Sequence, residues 1–388
     1  MDYRADISRQ VRNLLGVICA FLILYVMKVG SEVIIPIVIS FFVYIFVNPI
    51  LNRLEKLHVP KIIATVIVLL LVLVIFVLLC YIMFLMVNML IQKLPYYQQR
   101  VIALDRLISQ HIAPFLDEDP EDISFLALLN IDWFGIAMSS LTSISSKFLG
   151  ILSDAMLIYV YLMFIILERQ TIAPKILVAF ERSKGERAMM MIGRMSRQMS
   201  KYLLIKLLIS GATGLLFYFA SLISGLDFAL VWGVLAFILN FIPTIGSILV
   251  TAGAILMAII QFMPHWGMVI YVAVLMIAIE MILGNIIDPR LQGIQLNMSP
   301  LIILFSLAIW GYVWGIVGMF LAVPLTSIIQ IICANIPGLK PVAIMISTGK
   351  NYRKSFDKQK RKKNAKAEEN AESYDVEFPE GPNPSSGE

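Results

Sequence analysis

Long apolar runs follow one another along most of this chain, at about 13–29, 33–51, 62–91, 148–167, 202–224, 227–262, 266–287 and 299–335. A helix needs about 20 apolar residues to cross the hydrocarbon core of a bilayer, so each run is at least a candidate crossing. Two runs, 227–262 and 299–335, are too long for one ordinary span, and both are punctuated in the middle. Asn240-Phe-Ile-Pro243-Thr-Ile-Gly246 interrupts the first, and Gly311, Gly315, Gly318 and Pro324 interrupt the second. The residues are 59% hydrophobic and 15% charged, against about 45–50% and about 25% in a soluble domain. Lipid must therefore solvate much of the surface. These features predict an all-α polytopic membrane protein of about eight membrane segments, with two broken or re-entrant pairs in its C-terminal half.

Lysine and arginine counts orient the chain. The loop 52–61 carries Arg53, Lys56 and Lys61, and 169–201 carries eight basic residues against Glu181 and Glu186. Both are expected in the cytoplasm with the N-terminus, whose Arg4, Arg9 and Arg12 precede a retained signal-anchor run. Residues 92–147 hold four basic against seven acidic residues and are expected outside. The basic tail after 340 is expected inside. An odd number of net crossings must then follow Gly225, so the two punctuated runs share parity: both broken single spans, or both hairpins.

The expected organisation is N-terminal membrane helices over 1–91, an extracytoplasmic insert of short amphipathic helices over 92–147, and a membrane core over 148–340. Within that core, 169–201 is cytoplasmic, and 181–201 is a basic, methionine-bearing amphipathic helix along the lipid interface. Residues 341–388 form a cytoplasmic tail too poor in apolar surface to fold alone. The acidic stretch 117–122 lacks the ligand spacing and central glycine of an EF-hand and reads as a solvated turn.

The net charge of +5 sits in loops and tail, as membrane topology leaves it, and implies no nucleic-acid partner. Cys19, Cys80 and Cys333 lie inside apolar runs without metal-ligand spacing. No hydrolase, Walker or dinucleotide motif is present, and His58, His111 and His265 fall in unrelated loops. The expectation is a non-enzyme with no cofactor and no metal. Its partners would be membrane lipids and a small-molecule or ion substrate.

Ionisable groups inside apolar spans are costly and therefore informative. Glu280 sits deep in its run, with Asp288 two turns later; eight residues of α-helix return the chain to within about 80° of its starting direction, so the two carboxylates share a broad face. Asn285 and Asn240 are the nearest candidate polar partners. Asp154 reads equally well as a helix N-terminal charge, and Lys206 and Asp227 read as snorkelling residues near interfaces. Gly311 and Gly315 have the spacing of a close helix contact, within the chain or between copies in a homo-oligomer.

Three motifs carry a family resemblance: the Asn240–Gly246 signature, Asp288-Pro289-Arg290-Leu-Gln-Gly293 followed by Ser299-Pro300-Leu301, and Trp310-Gly311-x-x-Trp314-Gly315-Ile-Val-Gly318 running on to Pro324. Their order and spacing resemble the autoinducer-2 exporter family, the PerM-type permeases, over most of residues 10–340. The resemblance implies an eight-segment transporter of the bacterial inner membrane. Some members are assigned to export of a small furanone-derived signal and others to sodium/proton antiport.

The leading reading is a secondary transporter exporting a small polar or amphiphilic metabolite. Its pathway would run past Asn240, Pro243, Gly246, Glu280, Asn285 and Asp288, with Pro289, Gly293, Pro300, Gly311, Gly315, Gly318 and Pro324 as structural motif positions. The alternatives are sodium/proton exchange through Glu280 and Asp288, and a non-transporting membrane scaffold. A cavity between the broken segments would favour transport, whereas a solid bundle with a large outer patch would favour the scaffold.

Overall fold

Leucine, isoleucine, valine and phenylalanine in unbroken runs leave the backbone one way to satisfy its polar groups within a bilayer, and that is helix. The computed structural model describes residues 2–116, 133–180, 182–292 and 298–349. Among them the order is α1 (Asp2–Val29), α2 (Ser31–Lys56), α3 (Lys61–Leu116), α4 (Trp133–Ala179), α5 (Arg182–Ser224), α6 (Ala229–Leu239), α7 (Ile245–Phe262) and α8 (Trp266–Glu280). A π-helical stretch, Met281–Ile287, leads into α9 (Asp288–Gln292), and α10 (Pro300–Asn335) and α11 (Lys340–Ile346) close the order. Extended pairing among these residues is limited to one antiparallel bridge between Met298 and Ser347. Seven of the helices are long and apolar enough to cross a membrane. The acidic stretch 117–122, the apolar positions 125–129, Gly293 and residues 350–388 lie outside the described residues, whereas the start of the expected tail is folded: α11 buries Ala343, and Ser347 bridges to Met298.

Apolar side chains face outward along much of the molecule, as a lipid solvent requires. Phe21 of α1 is 70% exposed, and Val74 and Val77 of α3 are similarly open. The interior divides into linked clusters. Val47 and Leu51 of α2 meet Val68 of α3 and Leu162 of α4. Phe217 of α5 meets Ala236, Val250, Ala254 and Met276 of α6, α7 and α8. Small residues on α7 let these helices approach closely.

The expected insert differs from expectation. α3 continues without interruption through Pro95 as one 56-residue helix, about 84 Å long at 1.5 Å per residue, far beyond the roughly 30 Å of a bilayer core. The apolar positions at 104–108 are therefore its continuation, not a separate short helix. A polar knot fastens this extension to the core. Asp227, expected to snorkel, instead takes Lys93 on one carboxylate oxygen and the Tyr97 hydroxyl on the other, each at 2.5 Å. Its backbone N–H donates to Gln261 Oε1 at 2.8 Å, and Arg100 donates to the Gln261 carbonyl.

The basic stretch 181–201 also differs. Residues 182–201 are the first half of α5, continuous with its apolar half through Ser224, and Met199 is fully buried. The stretch is therefore the continuation of a membrane helix and not a separate helix, and most of its side chains are exposed or half-buried. On the same side, Arg169 of α4 pairs with Glu55 of α2.

Both punctuated runs are broken helix pairs. After α6, residues 240–244 form a turn in which Thr244 has φ 65° and the Gly246 N–H donates to the Ile242 carbonyl at 3.1 Å. A Cβ on Gly246 would overlap the Leu239 carbonyl, so only glycine allows the turn. α10 is broken at Gly315 (φ 63°, ψ −139°), a conformation open essentially to glycine alone. The chain bends back there: a Cβ on Gly318 would overlap the Trp310 carbonyl, and Trp310 Nε1 donates to Thr326 Oγ1 at 3.1 Å. The helix α1 secures this bend, with Trp314 Nε1 donating to the Met27 carbonyl at 2.8 Å and Lys28 over the Tyr312 ring.

Forcing a methyl into backbone should make Gly246→Ala and Gly318→Ala each lose about 3 kcal/mol, and Gly315→Ala about 1–3 kcal/mol through backbone strain. Gly267→Ala, whose Cβ meets nothing within 4 Å, should be silent. Thermal unfolding in detergent micelles checks this order, and a Gly318→Ala protein as stable as its parent would contradict the bend at Gly315.

Candidate functional site

The two broken pairs and the π-helical stretch surround a cavity of about 870 Å³. Its walls come from four parts of the chain. The first turn and α7 supply Asn240, Pro243, Thr244, Ser247 and Thr251, with the helical residues recurring at the spacing of one helix face. The end of α8 and the π stretch supply Ile277, Glu280, Gly284, Asn285 and Asp288. Pro300, Ile303 and Val323 come from α10, and Lys206 comes from α5.

The π winding explains how the second wall is assembled. The Asp288 N–H reaches back to the Leu283 carbonyl, five residues earlier, so this stretch is under-wound relative to an α-helix. Glu280, Gly284, Asn285 and Asp288 all line the cavity. Gly284 leaves the space that the carboxylate above it occupies: a Cβ there would stand 2.5 Å from Glu280 Oε1.

The decisive contact is an ion pair. Lys206 Nζ lies 2.9 Å from Asp288 Oδ2, with the lysine side chain 2% exposed and the aspartate 18%. One turn further along α5, Ser210 Oγ accepts a hydrogen bond from Asn240 Nδ2 at 3.0 Å. The helix α5 therefore holds both polar walls, the first turn through Ser210 and the π stretch through Lys206. Glu280 has no ion-pair partner among the described residues.

Of the residues singled out from sequence, the structure brings Asn240, Pro243, Glu280, Asn285, Asp288 and Pro300 to the cavity. Gly246 is buried behind the turn it permits. Pro289 follows Asp288 in α9. Gly311, Gly315, Gly318 and Pro324 belong to the bent helix α10 and shape it without lining the cavity. Lys206, expected to snorkel to an interface, is instead buried against Asp288. Its signal was a polar stripe at helical spacing, Tyr202, Lys206, Ser210 and Thr213, inside an otherwise apolar run.

Residues 15–338 match the AI-2E family transporter profile. The chain belongs to that family. A Borreliella burgdorferi protein, provisionally named a transport protein, is 33% identical over 320 residues, 82% of this chain and 86% of its own length. The AI-2 transport protein TqsA of Escherichia coli K12 is 31% identical over 334 residues, 84% of this chain and 92% of its own. A Haemophilus influenzae relative, also provisionally named for transport, is 28% identical over 352 residues, 88% and 98% of the two lengths. The chain is thus a multi-pass protein of the bacterial inner membrane with a membrane transport role, in a family of transporters and not of enzymes.

Breaking a buried ion pair strands one charge, whereas replacing both members by apolar groups need not. Lys206→Met alone should cost about 3–5 kcal/mol, and the double variant Lys206→Met/Asp288→Leu should recover most of it. Thermal unfolding in detergent measures both, and additive losses in the double variant would contradict a direct pair.

Proposed function

We propose that this chain is a secondary transporter that moves a small polar or amphiphilic metabolite outward across the inner membrane through this cavity. The observation that carries the reading is the cavity itself: about 870 Å³, within the range of about 300–1,000 Å³ that small-molecule sites occupy, and walled by both broken pairs. Non-helical backbone within a membrane is tolerated where it is buried or lines such a space, and the turn 240–244 does the latter. TqsA is named for transport of AI-2, so AI-2 is the first substrate to try. The lack of a Walker loop in the sequence favours a gradient as the energy source.

A bundle with a cavity between its broken segments fits transport better than scaffolding. The ion pair weighs against sodium/proton exchange through two free carboxylates, because Asp288 is held by Lys206. That leaves Glu280 alone in such a role.

Flux of AI-2 in proteoliposomes, with proton and sodium gradients imposed in turn, tests the reading. The parent chain should move AI-2 under one of the gradients. Glu280→Leu should lower the rate by about tenfold, a change of about 1.4 kcal/mol in the barrier, at equal insertion. Absence of flux for AI-2 and for small polyols alike would overturn the proposal, and a fully active Glu280→Leu variant would remove Glu280 from the pathway.

A further inference from the structure

Among the described residues the cavity walls hold three ionisable side chains: Lys206, Asp288 and Glu280. Two of them cancel. Lys206 is buried against Asp288 at 2.9 Å, and a buried ammonium with a carboxylate at that distance presents a dipole to the cavity instead of a charge. Glu280 stands apart from the pair, its Oε1 above Gly284, with no ion-pair partner among the described residues. The stretch 293–297 that follows in sequence contains no ionisable residue.

We infer that Lys206 sets the charge selectivity of this cavity: by cancelling Asp288 it leaves Glu280 as the one uncompensated charge among the described residues of the wall, so the site accepts neutral or cationic polar solutes and rejects anions. The inference rests on the transport reading above and adds a solute class to it. The remaining polar groups suit such a solute. Ser247 and Asn285 line the same space, and their hydroxyl and amide groups can hydrogen-bond a hydroxyl or ammonium group on a solute. Removing the lysine charge would leave two carboxylates facing one space, and like charges in a low-dielectric site repel strongly. Lys206 therefore both stabilises the wall and limits its negative charge to one.

The test reads the electrostatics of the cavity directly and needs no knowledge of the natural solute. Ser247→Cys is introduced into full-length protein in which Cys19, Cys80 and Cys333 are replaced by alanine. The probes are methanethiosulfonates of similar size carrying trimethylammonium-ethyl, hydroxyethyl or sulfonatoethyl groups, each rate being divided by that for free 2-mercaptoethanol. The corrected cation-to-anion ratio should be about tenfold, the factor that about 1.4 kcal/mol produces. Glu280→Gln should bring it close to one, and Lys206→Gln should raise it further. A ratio near one in the parent, a faster anion, or a ratio that survives Glu280→Gln would overturn the inference. If Lys206→Gln does not insert, the parent and Glu280→Gln proteins decide alone. A cysteine inert to all three reagents, the neutral one included, would overturn the transport cavity and this inference with it. Reactivity without charge preference would overturn the inference only.

Discussion

A buried ammonium and a half-buried carboxylate 2.9 Å apart tie α5 to the far end of the π-helical stretch. Each charge alone would be expensive at that position, and together they are tolerable only while the geometry is kept. That requirement fixes the register of α5 against the stretch that carries Glu280 and Asn285. The Ser210–Asn240 hydrogen bond, one turn away on the same helix, fixes the turn of the first broken pair in the same frame. Two polar contacts on one helix thus locate both walls of the cavity, and apolar packing among Phe217, Ala254 and Met276 supplies the bulk around them.

A second constraint comes from the bilayer. Backbone that leaves the helix must find partners inside the protein, and the turn between α6 and α7 does so. Around residues 240–246 short turn hydrogen bonds run from Ile242 to Leu239 and from Gly246 to Ile242, while Pro243 has no N–H to lose. At Gly315 the bend is closed by tryptophan N–H donors, one to Thr326 and one to the end of α1. Gly246 and Gly318 are needed because backbone occupies the space where a Cβ would point, and Gly315 because its positive φ suits glycine.

Much of this was legible in the sequence because the rules are local. Excess length with central proline and glycine marked both broken pairs. Carboxylates and asparagines inside apolar runs marked most of the polar wall. What was not legible depends on partners distant in sequence. Lys206 lies five residues into its run, where a lysine could equally reach an interface, and only the approach of Asp288 makes it a buried ion. The winding of Met-Ile-Leu-Gly-Asn-Ile-Ile as π rather than α carries no compositional mark. Pro95 and the polar residues around it read as the end of α3, yet the helix continues because Lys93, Tyr97 and Arg100 are anchored to residues 227 and 261.

The central claim is that solute passes through the space between the broken pairs. Its most direct test is to fill that space without disturbing the fold. Ser247→Trp places an indole in the cavity, whereas Leu249→Trp places one on the exposed face of the same helix, where Leu249 is 55% exposed. Flux in proteoliposomes at matched protein density is the measurement, with thermal stability of both variants recorded beside it. The account predicts that Ser247→Trp abolishes flux and Leu249→Trp preserves it, with both proteins folded. Unchanged flux through a folded Ser247→Trp protein would contradict it.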